Sequence, residues 1–161
     1  MTISELYIKM LSMPEQTMHD INHLTKVWAY ARHIGCLEGL DEHTQYITEA
    51  AAILHDIACP FLRQQYGTAD GKKQEEMGPG LARNFLADTG LPVEDMDRIC
   101  DLIGHHHTPD GIDGPDYQIL IEADYLVNAD ESGFSGENVR NMHDRYFRTA
   151  SGRKLLEQLY L

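Results

Sequence analysis

No apolar run in this chain approaches the roughly 18–20 residues that a membrane-spanning helix needs. The opening stretch, MTISELYIKMLSMPEQ, lacks the basic start and apolar centre of a signal peptide. Cysteine is scarce: Cys36, Cys59 and Cys100 are odd in number, far apart and without a CxxC pair. That spacing argues against a disulfide frame or a zinc ribbon and suits a reducing cytoplasm. Positive charge is also short, with 13 Lys and Arg against 26 Asp and Glu and a net charge of -13 with His neutral. A nucleic-acid groove or an anionic membrane surface would need a basic patch, so both are excluded as expected partners. A small anionic substrate stays compatible if a bound divalent cation reverses the local field.

Strand-like alternation is missing too, and helical periodicity takes its place. The chain has 161 residues, 42% hydrophobic and 24% charged, which suits one globular domain. A short helix is expected over 2–12, closed by Pro14. A long one follows over 17–38, with Ile21, Leu24, Val27, Trp28, Ala31 and Ile34 on one face and Gly39 as its stop. A third covers 43–58 and ends at Pro60. YGTADGKKQ reads as a polar loop, and 74–88 as helix-like but interrupted by Gly78-Pro79-Gly80. Further helices are expected over 92–107 and 116–131, separated by the turn-rich TPDGIDGPD, and one or two more over 136–161. The expectation is an all-α helical bundle forming a single domain over 1–161. The C-terminal segment is amphipathic and leaves open packing on its own domain or in a homodimer.

Three His-Asp pairs occur: His19-Asp20, His55-Asp56 and His143-Asp144. Two lie in polar settings, TMHDIN and NMHDRY, and read as surface residues. The third ends TEAAAILHDI, which is small or apolar on all sides beyond Glu49. A carboxylate entering such surroundings is costly unless it is paired or binds a metal. A structural His–Asp hydrogen bond is the plain alternative. In DRICDLIGHHHT the apolar stripe of Ile99, Leu102 and Ile103 continues onto His106 and His107, while His105 falls away. His23 lies at the edge of the apolar face of the long helix, and His19 lies further toward solvent. Asp124 sits between Leu120 and Val127 on a mostly apolar helix, Glu122 projects to another side, and Asp130 is a rival near the helix end. The candidates thus fall on four helices: His23, His55 with Asp56, His106 or His107, and Asp124. Mixed imidazole and carboxylate ligands suit Fe, Mn, Zn, Ni, Co or Mg rather than a soft thiolate site, and helical bundles build such sites from facing helices.

The ordered set His23, His55-Asp56, His106-His107, Asp124 resembles the H…HD…D pattern of the HD-domain superfamily of metal-dependent phosphohydrolases. The flanks agree: HLTKVWAYARHIGCLEG, AAILHDIA and IEADYLVNADE look like that family's first helix, signature and aspartate helix, over about residues 17–131. The resemblance implies one or two divalent ions held by His23, His55, Asp56 and Asp124. It also implies hydrolysis of a nucleotide or related small phosphate ester or anhydride, with Asp56 as ligand and proton acceptor. Bacterial HD hydrolases of diadenosine tetraphosphate are similar in more detail. They carry two metals and two extra histidines, the second followed by Thr as in HHT here, which favours His107. The first extra histidine has no counterpart, since no His occurs between 55 and 105 and EEMGPGLARNFL stands in its place. Glu75 or Glu76 is the substitute on offer, and one-ion and two-ion sites both remain open. Lys26, Lys72 and Lys73, with Arg32, are the candidates for phosphate contact. The alternative of another class is a non-catalytic metal- or nucleotide-binding regulatory module, and a purely structural bundle is the third reading.

Overall fold

Polar caps and prolines decide where the helices begin. The computed structural model describes all 161 residues. Thr2 caps α1 (Ile3–Leu11) and Thr17 caps α2 (Met18–Glu38), each in a capping box closed by Glu5 or Asp20. Asp41 caps α3 (Glu42–Leu54), Asp70 caps α5 (Gly71–Leu86), Ser135 caps α8 (Gly136–Arg145) and Thr149 caps α9 (Ala150–Tyr160). Proline occupies the first turn of α4 (Cys59–Tyr66) and α7 (Pro115–Glu131) and the N-cap of α6 (Val93–His105). At the end of α2, Gly39 takes φ 76°, a left-handed cap that an L side chain resists. All nine elements are helices, as the periodicity led one to expect.

Two of the expected boundaries that need correction concern proline; the third is the start of α5, which Asp70 caps at Gly71, inside the stretch read as a polar loop. The third helix stops at Leu54 rather than at residue 58, and Pro60 starts α4 instead of ending its predecessor. Pro60 has no N–H with which to continue the ladder to the Asp56 carbonyl, and Cys59 N bonds that carbonyl at 2.9 Å instead. A tight turn over residues 55–58 results, with the His55 and Asp56 side chains on it. Conversely, α5 runs unbroken through Gly78-Pro79-Gly80. The bond lost at Pro79 is tolerated because α5 lies close against α6. A Cβ on Gly78 would come within 2.7 Å of Ile103 Cγ2, and one on Gly104 within 3.1 Å of Pro79 Cγ. The two glycines are therefore a packing requirement, which outweighs their low helix propensity.

Helix α7 is the centre of the bundle, buried on nearly every side from Asp116 to Val127. That explains its near-continuous apolar run, interrupted only by polar residues that find partners. Helices α2 and α3 pack on it and on each other, α6 packs on α3, and α9 closes over α2 and α7. The C-terminal helix thus docks on its own chain, burying Leu156 and donating from the Tyr160 hydroxyl to the Leu126 carbonyl at 2.7 Å. Glu122, wholly buried, accepts from Gln118 Nε2 at 2.7 Å, Arg148 N at 2.7 Å, Thr149 N at 3.0 Å and the Thr149 hydroxyl. It ties α7 to the α8–α9 connection.

Candidate metal centre

The inner ends of α2, the 55–58 turn, the C-terminus of α6 and the middle of α7 converge on one point. His23 Nε2 lies 3.2 Å from His55 Nε2, 3.2 Å from Asp124 Oδ1 and 3.5 Å from Asp56 Oδ2. His55 Nε2 is 3.5 Å from Asp124 Oδ1 and 3.6 Å from Asp56 Oδ2. His106 Nε2 approaches the other oxygen of the same carboxylate, Asp56 Oδ1, at 3.6 Å. Asp56 therefore turns one oxygen toward His23 and His55 and the other toward His106.

Each imidazole is held so that Nε2 points inward. His55 Nδ1–H donates to the Ala52 carbonyl at 2.8 Å, and His106 Nδ1–H donates to the Ile103 carbonyl at 2.7 Å. His23 Nδ1–H donates to Glu131 Oε2 at 2.8 Å. Outer hydrogen bonds of this kind fix tautomer and ring orientation in metal-binding histidines. His55 and His106 thereby present lone pairs to the interior. The buried His106 Nε2 has no hydrogen-bond partner at all, an orphan that needs an explanation.

A divalent ion fits these residues. Ligand bonds of roughly 2.1 Å in tetrahedral or octahedral geometry keep neighbouring donor atoms roughly 3.0–3.4 Å apart. The His23 and His55 Nε2 atoms lie 3.2 Å apart, and each lies 3.2–3.6 Å from an oxygen of Asp56 and of Asp124. Asp56, His106 and His107 form a second group of close donors that shares Asp56 with the first. The protonation pattern agrees. Burial disfavours charge on His23, yet the Asp124 contact, the charges of Asp56 and Asp124, and Glu131 raise its pKa to about 9. Burial opposes the ionised Asp56 and Asp124 as well, but the surrounding imidazoles hold both carboxyls below the ordinary range. The cluster thus favours positive charge at its centre.

The remaining candidates separate by position. His107, which the apolar stripe was expected to carry inward, is exposed because α6 ends at His105; its Nε2 lies 3.0 Å from Gln74 Oε1, and partial desolvation against His106, with the His106 charge, lowers its pKa. Glu75 stands outside the donor group, accepting from His107 N and Thr108 Oγ1 at 3.0 and 2.9 Å. Glu76 lies with Lys73, Tyr66 and Met77 in a separate depression. The buried polar side chain next to His107 is Gln74. Asp130 is exposed, and Glu122 serves the α8–α9 connection.

Two clefts open from the cluster. One, of about 400 Å³, is lined by His106, His107 and Asp124 together with Ile121, Tyr125, Phe134 and Met142. The other, of about 220 Å³, is lined by His23 and Asp56 with His19, Asp20, Arg63 and Glu131. Asn128 lines both and donates to Asp124 Oδ1 at 2.8 Å, so the cluster lies at their junction. The three lysines line neither cleft. Lys26 pairs with Glu131 Oε1 at 3.1 Å, Lys72 is exposed on the first turn of α5, and the Lys73 amine sits 3.8 Å over the Tyr66 ring. Arg32 is committed to the buried Glu49 at 3.1 Å. The cation that does face a cleft is Arg63, held by Asp20, whose other role is to cap α2. Arg63 lies one turn along α4 from Cys59, which lines the same cleft, and that spacing was the available signal once α4 is recognised as a helix. Likewise His19 and Asp20, expected at the surface, border the smaller cleft, while His143 bonds Asp144 and Glu157 and joins α8 to α9.

Comparison with known proteins places this arrangement. The HD domain family model matches residues 20–131, a span that includes the His23, His55-Asp56, His106 and Asp124 positions. The crystal structure of a predicted HD superfamily hydrolase from an uncultured Thermotogales bacterium superposes with a TM-score of 0.66. That match covers 98% of this chain and 83% of the other at 23% sequence identity, and it speaks for the fold. No curated protein matches the chain.

Proposed function

The chain belongs to the HD-domain superfamily of metal-dependent phosphohydrolases, and from that premise we propose that it hydrolyses a nucleotide or related small phosphate compound. The observation that carries the reading is the orphaned, inward-facing Nε2 of His106 beside the His23–His55–Asp56 donor group, against which Asp124 packs through both imidazoles. A structural hydrogen-bond network would satisfy that atom, whereas a ligand set leaves its lone pair for an ion. His23, His55, Asp56 and Asp124 would hold a divalent cation, with His106 and His107 beside Asp56 available to a second. Bound there, such a cation lowers the pKa of water toward ~7 and neutralises phosphoryl oxygens. Asp56, with its side chain 29% exposed toward the smaller cleft, is the residue placed to accept the proton of an attacking water. Glu131 holds the His23 ring through Nδ1, and Lys26 steadies Glu131. Residues 1–161 are read as one domain. The three unpaired thiols support a reducing, cytoplasmic setting, and no helix is long and apolar enough to cross a membrane.

The test is phosphate release from nucleotides and sugar phosphates by protein loaded in turn with Mn, Fe, Co, Zn, Ni and Mg. Hydrolysis is expected with at least one ion, lost on dialysis against a chelator and restored by returning that ion. Failure with every ion and substrate would contradict the assignment and favour a binding module.

A further inference from the structure

We infer that the preferred substrate is a phosphate monoester with a flat aromatic ring on its alcohol side, a nucleoside monophosphate in its simplest form. Its ring would lie against Tyr125 and Phe134, and its single phosphate at the His–Asp cluster. This inference rests on the phosphohydrolase reading above and narrows it.

The larger cleft is prepared for a ring. Tyr125 and Phe134 have centroids 5.4 Å apart at 30°, and the Tyr125 edge meets Phe147 at 5.8 Å. The Tyr125 hydroxyl bonds Asn138 Oδ1, which fixes the ring from its other end. Phe134, by contrast, is 37% exposed although it borders a cleft, an unusual place for a large apolar side chain unless a partner covers it. The volume of about 400 Å³ falls within the roughly 300–1,000 Å³ of small-molecule sites. Ring stacking on such a shelf tolerates any base, because every base has a π-face.

Charge limits the number of phosphates. No Lys or Arg lines the larger cleft. The smaller one sets Arg63, already engaged by Asp20, against the carboxylates of Asp20, Asp56 and Glu131. One phosphate at the cluster would be served by the cation that His23, His55, Asp56 and Asp124 would hold. Each further phosphate would face acidic side chains with no Lys or Arg of its own, in a chain of net charge -13. The two clefts also give the reaction a direction. An in-line displacement places attacking and leaving oxygens on opposite sides of phosphorus. The acidic cleft admits water past Asp56, and the apolar cleft receives the alcohol. The water oxygen bonds to phosphorus as the ester P–O bond breaks. One water proton ends on the departing alcohol oxygen and the other on inorganic phosphate.

The experiment compares metal-loaded protein on AMP, ribose 5-phosphate and ATP, and measures adenosine binding by calorimetry in wild type, Phe134→Ala and Phe134→Tyr. Phe134 is exposed, so its replacement leaves the fold intact, and metal content checks the cluster. The expected kcat/KM for AMP exceeds those for ribose 5-phosphate and ATP by about tenfold or more. Adenosine affinity should fall about tenfold in Phe134→Ala and return in Phe134→Tyr. Equal rates on AMP and ribose 5-phosphate, a preference for ATP, or adenosine binding indifferent to Phe134 would overturn the inference while leaving a working hydrolase. Loss of all phosphate release would instead strike the phosphohydrolase reading, and the adenosine arm would still decide the ring site.

Discussion

Asp56→Ala is expected to lower the rate of phosphate release by about 10²–10⁴-fold or more, the range for loss of a general base, while the helical content of the protein stays unchanged. Asp56 is the one side chain that touches both halves of the cluster, Oδ2 toward His23 and His55 and Oδ1 toward His106. Its removal takes away a ligand, a link between the two donor groups and the proton acceptor together. The fold should survive, because Asp56 is partly exposed and sits on a turn whose neighbours Leu54, Ile57 and Ala58 supply the packing. Initial rates with the best ion, beside circular dichroism of both proteins, provide the check. A variant within threefold of wild type would mean that Asp56 neither binds the ion nor moves the proton.

A second large effect is expected far from the chemistry. Glu122→Ala should destabilise the fold by about 2–4 kcal/mol, read as a fall of roughly 1–2 M in the urea midpoint. Two effects oppose each other at this residue. Burial raises the Glu122 pKa, so removing the carboxylate relieves a desolvation cost. Against that, Gln118 Nε2, Arg148 N, Thr149 N and the Thr149 hydroxyl all lose their acceptor at once. Four stranded donors outweigh one relieved carboxylate. The first turn of α9 packs directly on this carboxylate, since a Cβ on Gly152 would lie 2.0 Å from Glu122 Oε2, so removing the side chain also leaves a gap beneath that turn. A midpoint unchanged within 0.2 M, roughly 0.5 kcal/mol, would show that the network carries no net stability.

Residue pattern carried most of the helical scaffold and the inner ring of side chains. His23, His106 and Asp124 sit on apolar stripes whose period of 3.6 can be read directly, and all three are buried. His105 falls outside the stripe and is exposed. Proline was the less transparent signal. The same residue ends one helix and begins another, and only the packing of the segment beyond it decides which. Pro60 opens α4 because Leu62 has a buried place to go, and Pro79 is carried within α5 because two glycines let α6 approach. The cleft residues were hidden for a related reason. Arg63 faces the cluster only because α4 exists, Asp20 only because its capping role leaves an oxygen for Arg63, and Phe134 only because the chain turns after α7. The three lysines illustrate the reverse error. A cation near a motif in sequence is free to pair elsewhere, and Glu131 and Tyr66 claim two of them.

The account depends on an ion at the junction of α2, α3, α6 and α7. The most direct measurement is metal content per chain by elemental analysis, on protein purified without chelator and without a nickel column. One or two equivalents of a divalent metal are predicted, falling in the Asp124→Ala variant; one would match the His23–His55–Asp56–Asp124 group, two would add the Asp56–His106–His107 group. Protein that emerges metal-free and takes up none of Mn, Fe, Co, Zn, Ni or Mg would contradict it, and would leave the orphaned His106 nitrogen without its explanation.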